Sequence, residues 1–235
     1  MNCDEIMKKL EELGSEQIKK IHISHGAKEP LFGVKVGDLK PIQKKVGKNY
    51  ELSLELYNTG NSDAMYLAGL IADEKKMTKE DLNGWIKKAY WSWLSEYTVP
   101  WVAAESNYGL ELALEWMESN DESIASAGWS VMGWICALKK DDELDLTLLK
   151  DLIKVVETEV HSQANRVRYT MNGFITAVGS YVLPLRERAI EAAKKNGNIH
   201  VDMGGTACKV PDAVEHINKY IKRNPTIKKK KTVRC

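Results

Sequence analysis

The chain has 235 residues, with 34 Lys and Arg against 33 Asp and Glu, so its formal net charge is +1. At roughly 100–200 residues per domain, that length suits one large domain or two small ones, and 43% hydrophobic residues suffice for a sizeable core. No apolar run approaches the ~18 residues needed to span a bilayer, and Met1-Asn2-Cys3-Asp4-Glu5 lacks the basic-then-apolar pattern of a secretory leader. The expectation is a cytoplasmic protein without membrane attachment. Cys3, Cys136, Cys208 and Cys235 are too dispersed for a CxxC zinc site or a dense disulfide framework, and read as reduced thiols.

Taken in chain order, apolar residues recur at helical spacing, as in Ile6, Leu10 and Leu13, and later in Leu146, Leu149, Leu152, Ile153 and Val156. Strand-like alternation is almost absent. Cap candidates stand at Ser15-Glu16, Ser62-Asp63, Thr78 to Asp81, Ser123 and Asp212. Breaks fall at Gly26, Glu29-Pro30, Gly33, Gly60-Asn61, 139–143, Pro184, Asn196-Gly197 and Met203-Gly204-Gly205. These signals predict about a dozen helices of ordinary length, ~10–14 residues. Many short helices with short loops point to an all-α architecture of stacked helix pairs, an α-solenoid, with a globular bundle as the competing arrangement.

Charge is unevenly placed. Lys219 to Arg234 holds eight basic residues and no acidic one, leaving 26 basic against 33 acidic residues elsewhere, a body of −7. The run Lys228 to Lys231 follows Pro225 and repels itself as a compact helix. The expected organisation is one domain over residues 1–224 followed by a flexible basic tail over 225–235, either a solubilising end or a phosphate-contacting arm.

The densest chemistry lies between Trp85 and Trp101, where Trp85, Tyr90, Trp91, Trp93, Tyr97 and Trp101 surround one acid, Glu96. On an α-helix Trp93, Glu96 and Tyr97 are three and four apart and share a face, flanking a carboxylate with two rings. Such a constellation attracts a cation, and N-alkylated purines are cations. The alternative is an aromatic stripe belonging to the core, with Glu96 solvated or paired to a Lys such as Lys87 or Lys88. Pro100, which lacks an N–H and clashes with the Glu96 carbonyl in a continuing α-helix, requires a kink or a new helix there.

Elsewhere, Cys208 with His200 and Asp202 in the Gly-rich stretch 199–211 invites a nucleophile reading, but a turn closing the last helix pair is the stronger one, with Pro211 starting the final helix. His22 and His25 have no neighbouring ligand to complete a metal site and read as polar residues at a helix end. Trp129 and Trp134 read as core, with Gly128 and Gly133 permitting close helix approach.

The many-helix pattern, Leu31-Phe32-Gly33-Val34 to Leu39 leading into Pro41-Ile42-Gln43-Lys44-Lys45, and Tyr90-Trp91-Ser92-Trp93-Leu94-Ser95-Glu96-Tyr97-Thr98-Val99-Pro100 resemble the HEAT-like-repeat DNA alkylation repair family, the AlkD-type alkylpurine DNA glycosylases, over about residues 5–195. The resemblance implies a C-shaped α-solenoid whose concave face cradles duplex DNA. It also implies hydrolysis of the N-glycosidic bond of cationic N3- or N7-alkylated purines, without a metal or cofactor. Counting back from Val99-Pro100, the family's catalytic Asp falls on Glu96, its first Trp on Trp91 and its second on Ser92, with Trp93 one residue along as a substitute if the helix is rewound. Glu96 is one methylene longer, and a displacement of that order costs ~10²-fold in rate.

In that frame Glu96 is the candidate catalytic residue, stabilising positive charge on the sugar and orienting water. Trp91, Trp93, Tyr97 and Phe174 are the candidate substrate contacts, and Lys44, Lys45, Arg166 and Arg168 the candidate phosphate contacts. No Arg lies between Ser123 and Leu138, where the family typically grips phosphate. The expected partner is duplex DNA, plain or alkylated, bound by a monomer. The competing function is a catalytically silent solenoid that binds a protein or peptide.

Overall fold

The computed structural model describes residues 1–234 and contains thirteen α-helices and no strand among them. No helix is long and apolar enough to cross a membrane. The chain divides into two compact units. The first comprises Met1–Tyr108, Met203–Ala207 and Arg234; the second comprises Gly109–Asp202 and Cys208–Val233.

In the first unit the helices are α1 (Cys3–Glu12), α2 (Glu16–Ser24), α3 (Val36–Val46), α4 (Tyr50–Asn58), α5 (Ser62–Ile71), α6 (Lys79–Lys88) and α7 (Val99–Glu105), the last preceded by a π-helical segment, Trp93–Thr98. α5 is the hub. All its residues are buried, and it packs against α3, α4, α7 and the π-helical segment. Its apolar run Ala64-Met65-Tyr66-Leu67-Ala68 explains why: a helix hydrophobic all round has to be enclosed. Gly69 is where the π-helical segment comes nearest, since a Cβ there would meet Thr98 Cγ2 at 2.4 Å.

The second unit holds α8 (Gly109–Met117), α9 (Glu122–Leu138), α10 (Leu146–Glu159), α11 (Asn165–Tyr181), α12 (Arg186–Asn196) and α13 (Ala213–Arg223). α9 and α11, each 17 residues long, form its centre, with α8 on α9 and with α12 and α13 on α11. Gly128 permits the α8 contact, because a Cβ there would stand 2.5 Å from the Met117 amide nitrogen.

Helix starts follow the cap chemistry, with small shifts. Thr78 and Asp81 form a capping box, and the Asp212 side chain accepts the Glu215 amide. At two starts the cap lies just before the expected Ser62 or Ser123: Asn61 and Asp121 take the role, each accepting two first-turn amides with one side-chain oxygen.

Several C-terminal basic residues have acceptors on the helices. Lys229 Nζ lies 2.9 Å from the Cys136 carbonyl and 2.9 Å from the Asp141 carboxylate, and the Lys230 amide donates to Ala137 O at 2.8 Å. In the first unit, the Arg234 guanidinium donates to Ala72 O and sits 2.8 Å from Glu74 and 3.0 Å from Glu105. The Lys229 and Arg234 side chains and the Lys230 amide therefore each have an acceptor within their own unit. Cys3, Cys136 and Cys208 are free thiols, and burial pushes Cys136 up to about 12, as expected of a reduced structural cysteine.

Candidate functional site

The segment carrying Glu96 is wound as a π-helix rather than an α-helix. Pro100 supplies a physical reason: it has no N–H to return to the Glu96 carbonyl, so an uninterrupted α-helical ladder is impossible there. The wider turn bonds residues five apart, as when the Val99 amide donates to Leu94 O, and Thr98 Oγ1 donates to Trp93 O at 3.0 Å. A new helix, α7, then starts at Val99 with Pro100 in its first turn, one of the two outcomes that Pro100 requires.

That wider turn takes Glu96, three residues on from Trp93, off the face the two would share on an α-helix. Glu96 is 2% exposed, while Trp93 and Tyr97 are half-buried. The two rings face different neighbours: Trp93 lies 4.9 Å from His22, 5.3 Å from Trp91 and 5.4 Å from Tyr66, whereas Tyr97 meets the edge of Trp101 at 6.2 Å. Tyr66 joins the halves, with Trp101 at 5.6 Å. Trp91 is 6% exposed, and its indole N–H is committed to Ser62 Oγ at 3.0 Å. The constellation is thus a continuous aromatic cluster around α5, with Glu96 buried on the turn that carries Trp93 and Tyr97.

Two further residues complete it: Asp63, and His22, which the sequence reads as a polar helix-end residue but which is buried because its ring packs on two indoles. His22 is 7% exposed and tilts against Trp91 and Trp93, with Nδ1 buried and lacking a hydrogen-bond partner. Burial pushes its pKa below the usual histidine value, against the opposing pull of Asp63 and with the help of His25. Asp63 accepts the backbone amides of Phe32, Gly33 and Val34 at 2.7, 3.0 and 2.9 Å. The Phe32-Gly33-Val34 element therefore wraps a carboxylate, and Gly33, at φ +77°, is the residue that allows the bend. The only sequence signal for Asp63 is its place just inside a helix start, which alone reads as a dipole partner. Between His22, Ser62, Asp63, Tyr66 and Trp93 remains a cavity of about 10 Å³, roughly one water.

The other candidates lie apart from this cluster in role. Lys44 and Lys45 are exposed on the last turn of α3. Phe174, in the second unit, is 1% exposed with its ring edge-on to Trp129 at 5.4 Å, a core packing position. Arg166 covers the Tyr169 ring at 4.4 Å. Arg168 donates through Nη2 to Asn165 Oδ1 at 3.2 Å, and Asn165 in turn holds both backbone groups of Asp202. Cys208 is exposed, and no cluster of metal-ligating side chains occurs among the described residues.

The described residues thus form an all-α protein of packed helices, with an aromatic cluster and a buried acid in its first unit. The chain belongs to the DNA alkylation repair enzyme family, whose profile it matches over residues 6–217. It is 35% identical over 222 residues to an uncharacterised protein of Listeria innocua and 34% identical over 222 residues to one of Listeria monocytogenes, covering 92% of this chain and 96% of each relative. It is also similar to a solved structure, with a TM-score of 0.92 and 41% identity over 100% of both chains. That protein is described as one of a new family related to the HEAT-like repeat DNA glycosylases, with affinity for branched DNA structures.

Proposed function

We propose that this protein binds branched DNA and acts as a structure-recognising member of its family rather than as a glycosylase. The observation that carries this reading is the closure of the Glu96 cluster. The acid is 2% exposed and the Trp91 N–H is spent on Ser62, so the carboxylate and the first ring of the cluster are turned into the fold rather than offered to a sugar and an alkylated base. The likeness to a protein with affinity for branched DNA supplies the substrate class. A near-neutral chain cannot rely on bulk charge for affinity, which also favours recognition of a shape over adhesion to any duplex.

Fluorescence anisotropy with a four-way junction, a three-way junction and a duplex of matched length, at low and moderate salt, tests it. Tighter binding to the junctions at both salt concentrations is the expected result. Equal affinity for duplex and junction would overturn it.

One observation keeps the hydrolytic reading in view: Glu96 retains a carboxylate within the same cluster of rings. Release of an N7-alkylated purine from DNA by the native protein, and its loss in Glu96→Gln, would establish that activity. We expect no release from either.

A further inference from the structure

The second unit contains a cavity of about 460 Å³, within the ~300–1,000 Å³ of small-molecule sites, between the end of α12 and the start of α13. Its apolar wall is made by Ile199, Val210 and Pro211. Its polar groups are Asn172 from α11, Asn198, and Lys194 from α12. Asn172 is only 6% exposed, and its Nδ2 is committed to Pro211 O at 2.9 Å. With Nδ2 so engaged, the amide oxygen is the part of the Asn172 side chain left to accept from a molecule in the cavity. Ala213 and Val214, in the first turn of α13, also line it and bring the positive end of that helix dipole to the rim, where Lys194 stands exposed. The Asp212 carboxylate at the same rim, which accepts the Glu215 amide, argues against a di- or triphosphate.

We propose that this cavity takes one unpaired nucleotide: the base against Ile199, Val210 and Pro211, hydrogen-bonded to Asn172 and Asn198, and its single phosphate near Lys194 and the α13 N-terminus. A flat ring with polar edges and one anionic group matches the lining, and branched DNA exposes such nucleotides where strands separate. The inference deepens the branched-DNA reading and, for its source of ligand, rests on it; a free nucleoside monophosphate shares the chemistry.

The test has two arms. In the first, deoxynucleoside monophosphates are titrated at millimolar concentration into the labelled full-length protein and followed by NMR. Shifts confined to the Asn172 and Asn198 side chains and the Ala213 and Val214 amides support the site, and their absence overturns it whether or not junctions bind. In the second, a three-way junction with one unpaired nucleotide at the branch is compared with a fully paired junction. Val210→Trp, which fills the cavity, and Lys194→Glu, on the exposed rim, are expected to weaken binding of the unpaired form about tenfold, the size of one missing charge-assisted hydrogen bond, and to leave the paired form unchanged. Shifts with the free nucleotide but no discrimination between junctions would assign the cavity to a free mononucleotide and overturn the DNA source. Failure of every junction to bind would remove the branched-DNA reading, leaving the first arm to decide the cavity.

Discussion

The backbone N–H of Gly33 donates to the carboxylate of Asp63 at 3.0 Å, across 30 residues of sequence, and the flanking amides of Phe32 and Val34 join it. One buried side chain thereby satisfies three consecutive donors of a loop that cannot bond to itself. Removing it strands those amides in the core of the first unit.

Asp63→Ala is therefore expected to destabilise the protein by about 3 kcal/mol, the scale of buried polar groups left unpaired when a charged partner is removed. Gly33→Ala should cost a comparable amount by a separate route: φ is +77°, and a Cβ would stand 2.4 Å from the Lys19 amide nitrogen. Thermal unfolding followed by circular dichroism measures both. Asp63→Asn, which keeps an acceptor, should fall between the native protein and Asp63→Ala. A melting temperature unchanged in Asp63→Ala would mean the loop is held by other contacts.

Much of this was legible in the residues. Of the apolar series at helical spacing, Ile6, Leu10, Leu149, Ile153 and Val156 are buried and Leu13, Leu146 and Leu152 half-buried, and the Thr78 and Asp212 caps stand where their chemistry requires. The aromatic cluster and its acid were also visible, because few segments hold that many rings around one carboxylate. Its geometry was not, since a π-turn changes which neighbours share a face, and only Pro100 hints at it. Asp63 and His22 are hidden for another reason. Their partners are tens of residues away, Phe32 to Val34 for one and Trp91 with Trp93 for the other, and spacing speaks only of near neighbours. The acceptors of Lys229 and Arg234 are hidden for the same reason, since they are carbonyls and carboxylates far away in sequence.

The buried His22 predicts a pH dependence. Its folded pKa is held below the usual 6.5, so as pH falls below about 6.5 the unfolded chain takes up the proton first. Its contribution is thus fully present above 6.5 and is lost as pH falls toward the folded pKa. Asp63 opposes the shift and His25 reinforces it, so the size of the effect depends on both charges. The melting temperature of the native protein should decline from pH 7 to 5 by more than that of His22→Phe. Parallel curves would show that His22 does not govern this window.

Arg234 is expected to anchor the C-terminus. Its side chain is 6% exposed between Glu74 and Glu105, which are themselves 9% and 12% exposed. Burial raises the Glu74 carboxyl, but hydrogen bonds from Lys48 and the backbone and the charges of Arg234 and Lys48 outweigh it and hold the pKa below 4.5. The stabilisation from Glu74 is therefore present above about pH 4.5 and is lost as pH falls through the depressed value. Arg234→Ala leaves the acids undercompensated, a class of change costing ~3–5 kcal/mol when the pair is fully buried, and somewhat less here because Lys48 still reaches Glu74. Urea unfolding at pH 7 gives the size of the loss. Arg234→Lys should recover only part of it, since one ammonium cannot serve Ala72 O, Glu74 and Glu105 together.

The phosphate-contact candidates should separate by role when salt is varied. Lys44 and Lys45 are exposed on the last turn of α3, free to move toward a phosphate at little cost to the fold. Replacing both with Ala should weaken junction binding evenly across sequences and lower the slope of log affinity against log salt by about 0.9 for each phosphate no longer neutralised, with the melting temperature unchanged. Arg168 should behave in the opposite way. Its guanidinium bonds Asn165, and Asn165 grips both the amide and the carbonyl of Asp202, so Arg168→Ala loosens the packing between the start of α11 and the 200–202 stretch. Lower stability with an unaltered salt slope is the result expected of it. A reduced slope for Arg168→Ala, or an unchanged one for the lysine pair, would reverse the assignment and move the DNA-binding role from α3 to α11.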